Sequence, residues 1–76
     1  MSENPNAKLI YMANQIATFF QSQPAQEAAQ GVATHINKYW ERRMRRKLFE
    51  HIEAGGEGLN PLVIEAAAKI RKPEAA

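Results

Sequence analysis

The sequence predicts an all-α fold, a small bundle of about four short helices, and three observations carry that reading. Apolar residues recur three and four positions apart in four separate stretches. A proline stands at or just inside the start of three of those stretches, where its missing N–H leaves no helical hydrogen bond unmade. Three of the four glycines fall in one short connector, Gly55, Gly56 and Gly58, instead of punctuating strands. The 76 residues are expected to make a single small helical domain, 1–76, with frayed termini. A chain of this size buries only roughly 60% of its unfolded surface, so the core is thin and a partner is the natural source of further stabilisation.

The first helix spans about 5–21. Asn4-Pro5 supplies a capping side chain followed by proline in the first turn, and Leu9, Met12, Ala13, Ile16, Phe19 and Phe20 form the apolar stripe. Ser22-Gln23-Pro24 repeats the start signal, with Ser22 or Gln23 at the cap of a second helix over about 24–38. Its stripe is Ala25, Ala28, Ala29, Val32, Ile36 and Tyr39, whose small members let the first helix approach, with Phe19 and Phe20 filling the gap. Gly31 costs about 1 kcal/mol in a helix interior relative to Ala, so close packing is the better reason for it than a break.

The second helix cannot simply continue. At about 100° per residue its phase would turn Arg43 and Lys47 onto the apolar stripe and rotate Met44 and Leu48 off it. A turn or sharp kink therefore lies between Lys38 and Arg42, followed by a third helix over about 41–54 with Trp40 or Met44, Leu48, His51 and Ile52 as its apolar positions. Gly55-Gly56 closes it in the left-handed conformation that glycine adopts freely. Leu59-Asn60-Pro61 then starts a fourth helix over about 61–70, with Leu62, Val63, Ala66, Ala67 and Ile70 as its stripe and a staple between Leu59 and Ile64. Arg71-Lys72-Pro73 stops it, and Glu74-Ala75-Ala76 frays.

Composition excludes several classes of function. With no cysteine there is neither a disulfide nor a thiolate metal site, and His35 and His51 are too few and too far apart for a metal cage, so each reads as a partly buried hydrogen-bonding residue. All eight acidic residues are scattered glutamates, and no Ser is placed with a His to make a nucleophile. The connector Gly55-Gly56-Glu57-Gly58 is followed by Leu59-Asn60, not by the Lys-Ser/Thr of a phosphate loop. No window approaches the roughly 20 apolar residues that cross a bilayer. The start Met1-Ser2-Glu3-Asn4-Pro5 lacks the pattern of a secretory signal, which predicts a cytoplasmic protein, and the lack of any catalytic constellation predicts a non-catalytic one.

One segment stands out. Lys38 to Lys47 holds six cations (Lys38, Arg42, Arg43, Arg45, Arg46, Lys47) against one anion, Glu41, which leaves the rest of the chain net negative. Arg42 and Arg46 are four apart, as are Arg43 and Lys47, and each like-charge pair costs an isolated helix about 0.2 to 0.5 kcal/mol. Arg42 and Arg43 also sit at the positive end of the helix macrodipole, at a further cost of about 0.3 to 1 kcal/mol each. A phosphate or a partner's carboxylates would reverse both signs. Phe49 falls on the same side as Arg42, Arg45 and Arg46, where it either joins an interface or folds back onto the fourth helix. The predicted binding residues are thus Lys38, Trp40, Arg42, Arg43, Arg45, Arg46 and Phe49. A basic helix in a small domain also fits nucleic-acid binding, which the acidic remainder and the lack of a second basic arm make the weaker alternative.

Met12-Ala13-Asn14-Gln15-Ile16-Ala17 with Phe19-Phe20, His35-Ile36-Asn37-Lys38 leading to Trp40, and Arg43-Met44-Arg45 together resemble one known family. It is the delta subunit of the soluble NAD-dependent, molybdenum-containing formate dehydrogenases. The resemblance continues through Ala54-Gly55-Gly56, Gly58-Leu59 and Pro61-Leu62-Val63, and covers about Lys8 to Pro73. Arg42 is a departure, because members of the family often carry proline between the Trp and the Arg-Met-Arg. The resemblance implies an accessory subunit of a bacterial cytoplasmic complex whose larger partners carry bis-molybdopterin guanine dinucleotide, iron–sulfur clusters and FMN. That complex oxidises formate to carbon dioxide and passes the electrons to NAD. The subunit would bind the large catalytic subunit, stabilising the assembly or assisting insertion of the molybdenum cofactor. The basic helix could also hold a guanine nucleotide, or the nucleotide end of the cofactor, with Tyr39 or Trp40 stacked on the base.

Overall fold

The computed structural model describes residues 6–71. Its elements, in chain order, are α1 (Ala7–Phe20), α2 (Ala25–Tyr39), α3 (Arg42–Glu53), α4 (Pro61–Ala66) and a single 3-10 turn (Ala67–Lys69). No strand occurs among the described residues, and the expected all-α bundle is the observed fold. Helix α2 is the central element, packed against α1 and against α4 with its 3-10 turn, while α3 leans on α1.

The core follows small residues more closely than the sequence stripes suggest. Leu9, Ala13 and Ala17 are the buried residues of α1, and Ala28, Ala29, Val32, Ala33 and Ile36 those of α2. Alanines at this density let two helices approach closely, and the bulk is supplied by Ile36, Leu48, Val32 and Val63, the largest fully buried side chains. Ala17 and Ala33 were not in the expected stripes, and Phe19, Met12, Ala25 and Tyr39, which were, are exposed. The reason is phase: Phe19 lies two residues, or about 200° around the helix, from the fully buried Ala17. Phe20 does fill the expected gap. A Cβ placed on Gly31 would lie 2.6 Å from two atoms of the Phe20 ring, so the glycine is there for close packing.

The helix ends have specific chemistry. The Asn4-Pro5 start lies outside the described residues, and Asn6 occupies the N-cap position of α1. Pro24 itself, extended at φ −53° and ψ 146°, takes the N-cap position of α2, one or two residues later than Ser22 or Gln23. Helix α2 ends at Tyr39, and two extended residues, Trp40 and Glu41, turn the chain into α3 where the change of phase required it. Helix α3 closes in a Schellman motif: Gly56 N–H donates to His51 C=O at 2.9 Å, and Gly55 N–H to Ile52 C=O at 3.0 Å. Both glycines have positive φ, 121° and 65°. His51 Nε2 bonds the Glu57 carbonyl oxygen at 2.7 Å, the hydrogen-bonding role expected of it. Asn60 caps α4, its Oδ1 accepting from Leu62 N–H at 2.9 Å with Pro61 next in the first turn. The staple differs from expectation, since Ile64 is exposed and lies over Gly56 while Leu59 is buried. The last turn of the fourth helix tightens to 3-10 before Ile70 leaves in an extended conformation.

Helix α4 has only six residues, too few to hold itself, and two asparagines clamp its surroundings. Asn14 of α1 donates from Nδ2 to Gly58 C=O at 2.9 Å and accepts at Oδ1 from Asn60 N–H at 2.7 Å. Asn37 of α2 donates to Lys69 C=O at 3.3 Å and accepts from Arg71 N–H at 2.7 Å. Each side-chain amide reads the carbonyl of one residue and the N–H of the residue two further on, as a neighbouring strand would.

Candidate docking surface

The corner between α2 and α3 collects the charge. Lys38 and Tyr39 end α2, and Arg42 and Arg43 open α3 after the two intervening residues Trp40 and Glu41. Trp40 anchors the corner: it is only 6% exposed and belongs to the hydrophobic core. That corrects the expectation that Trp40 binds a partner or stacks on a base, because an indole buried in the core presents no face to a ligand. Its neighbour Tyr39 is 64% exposed, with the Lys38 ammonium 5.6 Å from the ring centroid and the His35 ring at 4.8 Å.

The arginines divide into two groups. Arg42, Arg43, Arg46 and Lys47 are exposed. No acidic residue lies in the first turn of α3, and the Glu41 side chain at the N-cap position makes no capping bond, so a single carboxylate stands at this positive helix end against the exposed Arg42, Arg43, Arg46 and Lys47. Arg45 is different. Its guanidinium reaches across to the end of the described chain and donates to Arg71 C=O at 2.6 Å, while its Nε is buried without a hydrogen-bond partner. Arg45 thus has a structural task, tying α3 to the segment that Asn37 also holds. Phe49 is partly buried and packed against the core, so it is not a fully exposed member of the basic face.

A second feature was not foreseen. Between the outer edges of α1 and α2 lies a cavity of about 300 Å³ lined by Gln15, Ile16, Phe19, Phe20 and His35. Phe19 is 74% exposed there and meets Phe20 edge to face at 5.0 Å. A signal for it was present in the sequence: the apolar positions of α1, with Tyr11 added, spread over too wide an arc for one buried face. Among the described residues no three His, Cys, Asp or Glu side chains converge as metal ligands. No helix among them is long and apolar enough to cross a membrane.

The sequence profile of the NADH-dependent formate dehydrogenase delta subunit, FdsD, matches residues 8–67. The chain belongs to this delta-subunit family. No match was found among curated proteins. The matched region runs from the first turn of α1 to the first residue of the 3-10 turn, so it takes in the whole Asn14 clamp, Asn37 without its partners Lys69 and Arg71, the buried corner at Trp40, the exposed arginines and the Schellman glycines. Delta subunits of formate dehydrogenase assemble with other subunits, and the surface of this chain is to be read in that light. The residues that carried the resemblance in the sequence are largely structural: Asn14, Asn37, Trp40 and Arg45 all make interior or clamping contacts.

Proposed function

We propose that this chain is a non-catalytic accessory subunit that docks on an acidic surface of the large catalytic subunit of formate dehydrogenase, through Lys38, Arg42, Arg43, Arg46 and Lys47. Docking there stabilises the complex or assists insertion of its molybdenum cofactor. The observation that supports this reading is the crowding of exposed cations at the positive end of α3 with no acid in the first turn, an arrangement that is unfavourable alone and favourable against carboxylates. Exchanging Arg42 and Arg43 for Glu is expected to abolish co-purification with the catalytic subunit. Normal assembly of that double variant would remove the basic corner as the docking surface.

A second reading is favoured by one specific observation, the exposed Tyr39 ring beside Lys38. A guanine nucleotide, or the nucleotide end of bis-molybdopterin guanine dinucleotide, could stack its base on Tyr39 and place its phosphates among Lys38, Arg42 and Arg43. These residue types suit a nucleotide, whereas an iron–sulfur cluster needs thiolates that the chain lacks. Titration calorimetry with GTP and GDP tests it, and the absence of heat at millimolar ligand would exclude it.

A further inference from the structure

Among the described residues, four of the five large hydrophobic side chains that stand exposed, Tyr11, Met12, Phe19 and Tyr39, belong to α1 and to the last residue of α2. On α1, Tyr11, Met12, Gln15, Ile16 and Phe19 fall within about 140° of one another at 100° per residue, and the Gln15 amide is bonded to the Tyr11 hydroxyl at 3.1 Å along that same row. Small proteins scatter exposed apolar residues singly, and a row of this kind beside an open cavity marks a binding surface. The cavity has an apolar floor of Ile16, Phe19 and Phe20, with His35 on its α2 side. Its volume, about 300 Å³, accommodates one or two large side chains and is at the low end for a small-molecule site.

The charge at one end of this groove indicates what fills it. His35 leads to Tyr39 by ring contact at 4.8 Å, and Tyr39 carries the Lys38 ammonium at 5.6 Å. Three peptide steps separate Tyr39 from Arg42, which holds their Cα atoms within about 11 Å of each other. The groove therefore runs from an apolar pocket toward cations. On the opposite face of α2, about 200° round from His35, Asn37 is occupied in clamping the backbone at Lys69 and Arg71, so the groove side of α2 is open to a partner where that face is not.

We propose that the groove between α1 and α2 seats an amphipathic segment of the partner subunit. A Leu-, Met- or Phe-type side chain of that segment enters the pocket of Ile16, Phe19, Phe20 and His35, and a carboxylate following it meets Lys38. The proposal rests on the docking reading above and adds to it the apolar anchor, which gives the interface affinity where the arginines give orientation.

The test uses the full chain expressed together with its formate dehydrogenase subunits. A photoreactive benzophenone side chain replaces Phe19, a position exposed enough to accept it without disturbing the core. Irradiation of the purified complex is expected to yield one dominant adduct with another subunit, at a peptide that carries an apolar residue close to Asp or Glu. An adduct between two copies of this chain, or no adduct in a complex that still co-purifies, would overturn the proposal. A parallel Phe19→Glu variant, checked for unchanged helicity, is expected to bind the partner about thirtyfold more weakly, as for loss of one interface anchor. Loss of assembly in the Arg42/Arg43 charge reversal with full binding by Phe19→Glu would refute the groove and leave the basic corner standing. The converse pattern would support the groove and refute the basic corner.

Discussion

The Asn14 side chain accepts a 2.7 Å hydrogen bond from the backbone N–H of Asn60, 46 residues further along the chain, at the point where α4 begins. The same amide donates to Gly58 C=O, so both of its functions are used on the connector. Replacing Asn14 by Ala leaves the part-buried Asn60 N–H without its partner, at a cost of about 1 to 3 kcal/mol. For a domain of this size each 1 kcal/mol lowers the melting temperature by roughly 4 to 8 °C. Asn14→Asp keeps the acceptor and sets a carboxylate oxygen against the Gly58 carbonyl, so it should melt no higher than wild type. A thermal melt of Asn14→Ala that coincides with wild type would show that water replaces the clamp.

Asn37 and Arg45 hold the other end of the same unit through the Lys69 and Arg71 backbone. Arg45→Ala should therefore act on stability and not on docking. The expected loss is about 1 kcal/mol, because the bond to Arg71 is charge-assisted but exposed and its removal also relieves a buried Nε that has no partner. Among folded molecules, partner affinity should stay within twofold of wild type, in contrast to the Arg42/Arg43 reversal. Binding by Arg45→Ala as weak as that of the double reversal would place Arg45 back in the docking surface.

Much of this architecture was legible in the sequence because it depends on local rules. The Asn60-Pro61 start, the Gly55-Gly56 stop and the change of phase between Lys38 and Arg42 each follow from backbone chemistry within a few residues. Which apolar face turns inward was less legible. Both Ala17 and Phe19 of α1 are apolar, and burying the smaller one is decided by how closely α2 approaches, a tertiary matter that spacing alone does not encode. The same holds for the arginine run, where four of the five arginines are in one segment and only the position of Arg71 in space separates Arg45 from the rest. Asn14 and Asn37 were visible as motif residues, but their partners lie more than 30 residues away, beyond any local signal.

Trp40 sits at the junction of the docking corner and the core, which makes its mutants easy to misread. Trp40→Ala should cost about 3 to 5 kcal/mol. The whole stability expected of a chain this long is only roughly 4 to 11 kcal/mol. The variant is therefore expected to lose a large share of its stability, with a melting temperature lowered by more than about 10 °C, and its failure to bind would carry information about the interface only at a temperature where its helical circular dichroism signal is intact. Tyr39→Ala, at an exposed position, should retain wild-type helicity and a melting temperature within a few degrees. A cooperative, wild-type-like melt of Trp40→Ala would contradict the buried anchor.

Gly31 and Phe20 provide the most direct test of the α1–α2 packing. A methyl group on Gly31 would meet Cδ1 and Cε1 of the Phe20 ring at 2.6 Å, well inside van der Waals contact. Gly31→Ala also gains about 1 kcal/mol of helix propensity, so two terms of opposite sign compete. The ring belongs to a partly buried side chain that lines the groove, and displacing it forfeits packing against the core as well as the edge-to-face contact with Phe19. Overpacking of this kind costs about 1 to 3 kcal/mol, which outweighs the propensity gain. The net expectation is destabilisation by about 1 kcal/mol, read as a lower urea midpoint at unchanged slope. Phe20→Leu should remove much of the clash, so in the double variant Gly31→Ala becomes neutral or stabilising, and a double-mutant cycle should return a coupling above about 0.5 kcal/mol. Additive single effects would mean that the ring is not held against Gly31, and that α1 and α2 are free to separate at that end.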